Sequence, residues 1–405
     1  MKNKIKIISL STTYPEAIDS ATPKFVHIVN KELVTRGCSV KVIAPHSKGF
    51  KKKDKLEGVT IQRFKYLPEN YELSYSIAEE VRKSKLGMMK IIFLSLGLLI
   101  STFIECLKEK PDIIHGHWAF PGGYVASFVS KIFRINFVVS LHGGEIPLLK
   151  KFSFLKKLVI NSLNKSSFVI VNSNYTKNEF EKMGVLNERM IKINPPPNFL
   201  KHCSDNEILS RFKQKFVKDD TRIILFCGRL TERKGVAYLI QSIPEIKTKN
   251  IHLIIVGGGG QEGNLKQLTS SLNLDSNVTF FGPAKDNELG LLHDISDVFV
   301  CPSIIDSHGE TEGLGLVIPE AMESGLPVIG TSVGGIVDII KNGFNGVLVE
   351  QKDPVAIAKA IDQILGNPEF AKKIIQNSKQ TVKDFSPEII AKQHMGLFEK
   401  LVFST

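Results

Sequence analysis

Two carboxylates bracket a small-residue turn and an apolar run in Glu312-Gly-Leu-Gly-Leu-Val-Ile-Pro-Glu320. Upstream, Gly228-Arg229-Leu-Thr-Glu-Arg-Lys234-Gly235 offers cations in a glycine-bounded turn. Gly313 and Gly315 let backbone come close to a ligand, since glycine has no side chain to obstruct it. The turn is predicted to open a helix through Pro319, Ala321 and Met322, whose first amides point outward unpaired. Such a helix start favours anions. Arg229 and Lys234 supply the positive charge that a diphosphate needs. Together these residues read as a nucleotide-sugar site. The bland alternatives are acids drawn to a helix start by its dipole and a solvated basic turn.

Both motifs need strands to carry them. Apolar, β-branched runs fall at 6–10, 39–44, 59–64, 112–117, 137–141 and 168–172 in the first half. In the second half they fall at 222–227, 252–256, 278–281, 298–301, 327–330 and 346–349. Near-continuous apolar runs suit strands buried on both faces of a parallel sheet. Between them run amphipathic helices, such as 24–36 with Phe25, Ile28, Val29 and Leu33 on one face and Gly37 as its stop. The alternation predicts two doubly wound α/β domains. Asn194-Pro-Pro-Pro-Asn198 is the expected linker, because three prolines fit neither a helix interior nor a central strand. The expected domains are 1–197 and 198–385, with a helix over 386–405 returning to the first. Ligands of such sheets bind beyond the carboxyl ends of the strands, where every motif here lies.

Bulk composition is that of an ordinary globular protein, 42% hydrophobic and 23% charged over 405 residues. The five cysteines are scattered without a CxxC pair, which argues against a zinc ribbon and for a reducing, cytosolic compartment. Lys4 and Lys6 alternate with Ile5, Ile7 and Ile8, so the first ten residues read as a strand and not a signal peptide. The longest uncharged apolar run, 91–104, has fourteen residues against the roughly 20 that a span needs, so a buried or interfacial helix is expected there. Net charge is uneven. Residues 1–200 hold 31 Lys and Arg against 16 Asp and Glu, a balance of +15, while 201–405 hold 22 against 25, a balance of −3. The basic clusters are 48–55, Lys83/Lys85/Lys90 and Lys150/Lys151/Lys156/Lys157. They are either solvated faces or an attraction for an anionic membrane surface or a phosphorylated acceptor. No recognised nucleic-acid module accompanies them, so nucleic acid is not an expected partner.

Further motifs complete the pattern: Ile254-Ile-Val-Gly257-Gly-Gly-Gly, Val278-Thr-Phe-Phe-Gly282, Phe299-Val-Cys-Pro302-Ser303, Glu310-Thr-Glu312, Glu320-Ala-Met, Gly325-Leu-Pro-Val-Ile, Val333-Gly334-Gly335-Ile and Gly343-Phe-Asn-Gly346. In this order and spacing the chain resembles, over nearly its whole length, the retaining glycosyltransferases of family four (glycosyl transferases group 1). The resemblance implies the GT-B architecture, two Rossmann-like domains facing across a cleft. It implies a UDP- or GDP-sugar donor, and a hydroxyl of a glycan or lipid-linked acceptor in cell-surface polysaccharide or glycolipid synthesis, at the inner face of a membrane. Arg229 and Lys234 would hold the diphosphate and stabilise it as it leaves. The amides of Gly313, Leu314, Gly315 and Leu316 would complete that cradle. Glu320 would take the ribose diol, and Glu312 the hydroxyls of the donor sugar near the reacting carbon. The base would lie by Gly282-Pro283-Ala284. His142, in Leu141-His-Gly-Gly-Glu145, would serve the donor sugar and acceptor from the first domain. No cofactor and no metal are implied, and no Asp-x-Asp motif occurs. Whether retention proceeds on one face or by double displacement stays open.

The chain departs from the family pattern twice. No glycine pair follows the first strand, where Tyr14-Pro15 and Ala21-Thr-Pro23-Lys24 stand instead, and Glu145 occupies a place where aspartate is common. His115 and His117 share a strand face and read as strand-end histidines lining a cleft, not metal ligands. Gly257 to Gly260 reads as a tight turn before a helix. Two rival readings remain. A Rossmann-type NAD-dependent oxidoreductase would need G-x-G-x-x-G after Leu10, which is absent. A non-catalytic relative would bind a sugar nucleotide without transferring the sugar.

Overall fold

The computed structural model describes residues 4–18, 22–68, 85–218 and 220–403. Two compact units emerge, one of residues 1–196 with 386–405 and one of 197–385. Ala21, Lys83 and the segment 69–84 lie outside the described residues, as does the side chain of Lys85.

Unit 1 is built on eight strands: β1 (Lys6–Leu10), β2 (Ser39–Pro45), β3 (Lys53–Leu56), β4 (Val59–Phe64), β5 (Ile113–His117), β6 (Asn136–Leu141), β7 (Phe168–Val171) and β8 (Met190–Lys192). Their order is β3-β4-β2-β1-β5-β6-β7-β8, parallel throughout except at the β3–β4 edge. The chain winds one way from β1 and the other way from β5, so the crevice of this sheet opens at their carboxyl ends. Two strands were not legible in the pattern. β3 overlaps the end of the Lys48–Lys55 cluster; its Lys-Asp-Lys-Leu is a charged edge strand with no fully buried residue. Charged edges resist pairing with other chains, and they also hide the strand from a search for apolar runs. β8, three residues long, is too short to show a period.

Unit 2 adds β9 (Arg222–Cys227), β10 (Ile251–Val256), β11 (Val278–Gly282), β12 (Val298–Cys301), β13 (Val328–Thr331) and β14 (Val347–Val349). All run parallel in the order β11-β10-β9-β12-β13-β14, so the crevice lies at the ends of β9 and β12. The expected α/β class and pair of doubly wound domains are therefore present.

The helix Lys85–Glu109 corrects the expected limit of the apolar run. It extends past Lys90 and Glu105, and its stretch Gly87–Glu109 has mean hydropathy 2.0, long and apolar enough by composition to cross a membrane. One face is packed: Ile91, Leu94, Leu98 and Thr102 are buried against the sheet of unit 1. The helix Pro387–Phe403 packs on the other side of that sheet against Phe25–Thr35, burying Ile390, Ala391, Leu397 and Phe398 among Ile5, Ile7, Leu33 and Val40.

Candidate functional site

In unit 2 the carboxyl ends of β9 to β12 form one rim. Gly228 N donates to Val256 O at 3.0 Å, and Gly257 N to Gly282 O at 2.9 Å. A Cβ on Gly257 would sit 2.0 Å from Gly228 O, and one on Gly259 2.5 Å from Leu230 O. Gly257 and Gly259 are thus required by backbone packed on backbone, and the run leads as expected through a turn into the helix Glu262–Ser271.

After β9 a short 3₁₀ turn, Glu232–Lys234, directs two cations towards the loop after β12. Lys234 Nζ and Arg233 Nη1 both donate to Glu312 Oε2, Arg233 at 3.0 Å. Glu312 and Lys234 are buried. Burial alone would push the Glu312 carboxyl up, but Lys234 and Arg233 overcome it and hold the group down at about 2. Desolvation lowers the half-buried Arg233, but Glu312 outweighs it and raises the group in turn.

Close backbone contacts fix this cluster. Gly235 has φ +64°, and a Cβ there would sit 1.9 Å from Pro302 O. Gly334 and Gly335 lie against the Glu312 turn, with an added Cβ 2.0 Å from Glu312 O and 2.2 Å from Gly313 O, while Gly335 N donates to Glu312 O at 2.9 Å. The helix after the turn is short, Val317–Glu323. Among the described residues, no backbone carbonyl accepts from the amides of Gly313, Leu314, Gly315 or Leu316. Glu320 Oε1 accepts from Asn198 N at 3.0 Å, which ties this helix to the residue after the proline run. Arg229 is exposed on the same loop as Lys234. Ala284 is half-buried between β11 and the helix Asp286–Asp294.

His142 belongs to unit 1, not to this cluster. It follows β6 and stacks on His117 at 5.5 Å between ring centroids and 14° between planes; His117 Nδ1 and His142 Nε2 share a hydrogen bond of 3.2 Å. Phe25 and Trp118 lie 4.8 and 4.9 Å from its ring. Desolvation, then His394, push His142 down to about 3, and burial likewise lowers His115 and His117 well below the ordinary range. His142 keeps part of its edge exposed and is a neutral ring at neutral pH. Trp118 has φ +63°, a conformation costly for a bulky residue and characteristic of over-determined sites. Gly122 makes room for it, since a Cβ there would meet His117 O at 2.2 Å.

Glu145 is buried, and its Oε1 accepts from Ala119 N and His142 N, each at 3.3 Å. Burial raises its pKa despite these bonds. Its role here is to fix the two loops that carry Trp118 and His142. His115 and His117 do not line a cleft: they are 0% and 3% exposed, with rings 4.3 Å apart and His394 of the last helix 5.8 Å from His115. Among the described residues no three His, Cys, Asp or Glu converge as a metal site would need.

Sequence reasoning missed Arg233 and Trp118. Nothing in spacing separates Arg233 from Arg229 as the partner of Glu312; the 3₁₀ turn decides it. Trp118 carried a faint signal as the chain's one tryptophan, directly after a strand.

Comparison with known proteins follows the same division. Residues 24–196 match the family described as Glycosyltransferase Family 4, and residues 208–381 match Glycosyl transferases group 1. An uncharacterized glycosyltransferase of Methanocaldococcus jannaschii is 29% identical over 98% of both chains. The N-acetyl-alpha-D-glucosaminyl L-malate synthase of Bacillus anthracis is 27% identical over 72% of this chain and 75% of its own. Among solved structures, Anabaena HepE in complex with UDP-glucose superposes with a TM-score of 0.75 at 20% identity, covering 97% of this chain and 98% of that one, which places the fold in the GT-B class. With a family match on each half, the chain belongs to the glycosyltransferases of the group 1 and family 4 type, which use nucleotide sugars.

Proposed function

We propose that the chain moves a sugar from a UDP- or GDP-sugar to a hydroxyl of a glycan or lipid-linked acceptor, with retention at the anomeric carbon. The observation that carries this reading is the buried Glu312 carboxylate shared by Lys234 and Arg233 at the ends of β9 and β12. A diphosphate leaving group gains charge as its bond to the sugar breaks. Fixed cations in a dry site stabilise that charge without reorganising. Lys234 and Arg229 take this task, with the amides of residues 313–316 beside them. Glu312, bound to two cations and strongly acidic, is a poor nucleophile and a good acceptor for sugar hydroxyls. That favours the same-face route: the anomeric carbon–oxygen bond to phosphate breaks, the acceptor oxygen bonds to carbon, and its proton passes to the departing phosphate oxygen.

Glu320 is assigned to the ribose diol and Ala284 to the neighbourhood of the base. His142 is assigned to the donor sugar and acceptor hydroxyl, as a neutral hydrogen-bonding ring. The UDP-glucose complex of HepE supports a uridine donor. The free cysteines fit a cytoplasmic enzyme, and the basic first half fits work beside an anionic membrane, in cell-surface polysaccharide or glycolipid synthesis. No cofactor or metal is assigned to the reaction.

A thermal-shift panel of UDP-, GDP- and ADP-sugars with NAD, followed by hydrolysis of the best binder, tests the reading. Stabilisation by one sugar nucleotide, with turnover lost in Lys234→Ala, is expected. Stabilisation by NAD would overturn it, and tight binding with neither hydrolysis nor transfer would mark a non-catalytic relative.

A further inference from the structure

The helix Lys85–Glu109 carries two apolar faces, and among the described residues one is packed. On the other, Met88, Met89, Ile92, Phe93, Leu96 and Ile100 are 43% to 58% exposed, and the stripe continues through Phe103, Ile104 and Leu107. Monomeric proteins seldom leave so continuous an apolar surface in water. The adjoining helix Tyr124–Phe133, joined to the first by Phe103 and Phe133 at 5.0 Å, exposes Phe128 and Ile132. The next, Ser153–Leu163, exposes Phe154 at 77%.

Charge around this surface has one sign. Residues 85–163 hold ten Lys and Arg against four Asp and Glu. Of those four acids, Glu145 is buried, Glu105 is buried and paired with Lys41 and Lys108, Glu109 is paired with Lys41, and Asp112 accepts from Lys6 N. Exposed cations include Lys108, Lys110, Lys131, Arg134, Lys151 and Lys157.

We infer that this three-helix face of unit 1 docks on an anionic lipid bilayer, with the helix Lys85–Glu109 lying in the interface. An apolar stripe beside cations is the chemistry of an interfacial helix: the stripe enters the acyl boundary and the cations meet lipid phosphates. The helix does not span, because Leu94, Leu98 and Thr102 on its opposite face belong to the packed side of the sheet. A protein partner or second copy would match the apolar stripe but gives no reason for the uniform positive charge. The inference deepens the proposed lipid-linked acceptor and rests on that reading for its purpose only. The two fail separately, since vesicle binding needs no donor and donor hydrolysis needs no vesicle.

The full chain is to be co-sedimented with vesicles of phosphatidylcholine, alone and mixed with phosphatidylglycerol. Binding to the mixed vesicles is expected. Leu96→Glu/Ile100→Glu should reduce it by about tenfold or more, and Lys131→Ala/Arg134→Ala by about threefold or more. Hydrolysis of the donor without vesicles should be unchanged in both, which also reports that they fold. Should the glutamate pair fail to fold, Leu96→Ser/Ile100→Ser replaces it, with the same direction of effect expected. No binding to either vesicle would overturn the inference, as would binding that both apolar substitutions leave intact. A dimer in light scattering that either apolar pair splits would overturn it too, by assigning the face to a second copy.

Discussion

The two units solve one problem, a polar group buried at the carboxyl ends of a parallel sheet, in opposite ways. In unit 2 the answer is charge: Glu312 stays ionised because Lys234 and Arg233 surround it. In unit 1 the answer is neutrality. His115, His117, His142 and His394 are all pushed below their ordinary range by burial, and Glu145 is pushed above its own. A charged cluster suits an anionic ligand; a neutral aromatic one suits uncharged hydroxyls. The contrast makes the proposed division of labour between donor and acceptor a matter of ionisation state, and that can be tested unit by unit.

The most severe break is Lys234→Ala. It removes one of the two cations on a buried carboxylate and the proposed stabiliser of the leaving group. Donor turnover should fall by about a hundredfold or more, read as nucleoside diphosphate release. Next is Gly334→Ala, whose new Cβ would strike Glu312 O and strain a residue at φ +55°. A loss of about 2 kcal/mol or more is expected by denaturant unfolding, with turnover reduced because Glu312 moves.

Acid should separate the units. A histidine lowered in the folded state takes up its proton more readily when unfolded. Stability is therefore complete above the ordinary 6.5 and falls as pH drops through the window towards the folded values, about 3 for His142 and about 4 for His394. Unit 2 behaves in part alike through His252 and His293, and His202, raised by Asp294 and Glu323, opposes them. Glu312 is depressed from 4.5 to about 2, so its contribution stands above 4.5 and is lost only as pH falls below that value. Hydrogen exchange at pH 7 and at mild acid should thus show unit 1 opening first. Equal loss in both units would remove the contrast. The smallest effect is expected from Glu145→Gln. An amide oxygen still accepts from Ala119 N and His142 N, and turnover should change by less than about threefold. Glu145→Ala, which leaves those amides without an acceptor, should cost about tenfold.

Much of this was readable from residue types. The near-continuous apolar runs of β9, β10 and β12 could only be central strands, and the two-unit α/β fold followed. The glycines of the unit 2 loops were conspicuous, but their reasons were not. Gly235, Gly257, Gly334 and Gly335 answer to carbonyls far along the chain, which no local pattern displays. Arg233 was hidden for the same cause, since its partner is chosen by a 3₁₀ turn. β3 was masked by its lysines. The helix Lys85–Glu109 was under-measured because Lys90 and Glu105 interrupt the run in sequence without interrupting the helix.

The last helix has a bearing on how the protein is made. Its Ile390, Leu397 and Phe398 roof over strands translated near the start of synthesis, and His394 is the final member of the histidine group. On the ribosome, unit 2 has every residue it needs before unit 1 does. The earlier-made unit lacks that part of the cover over Ile7 and Val40 until Pro387–Phe403 emerges.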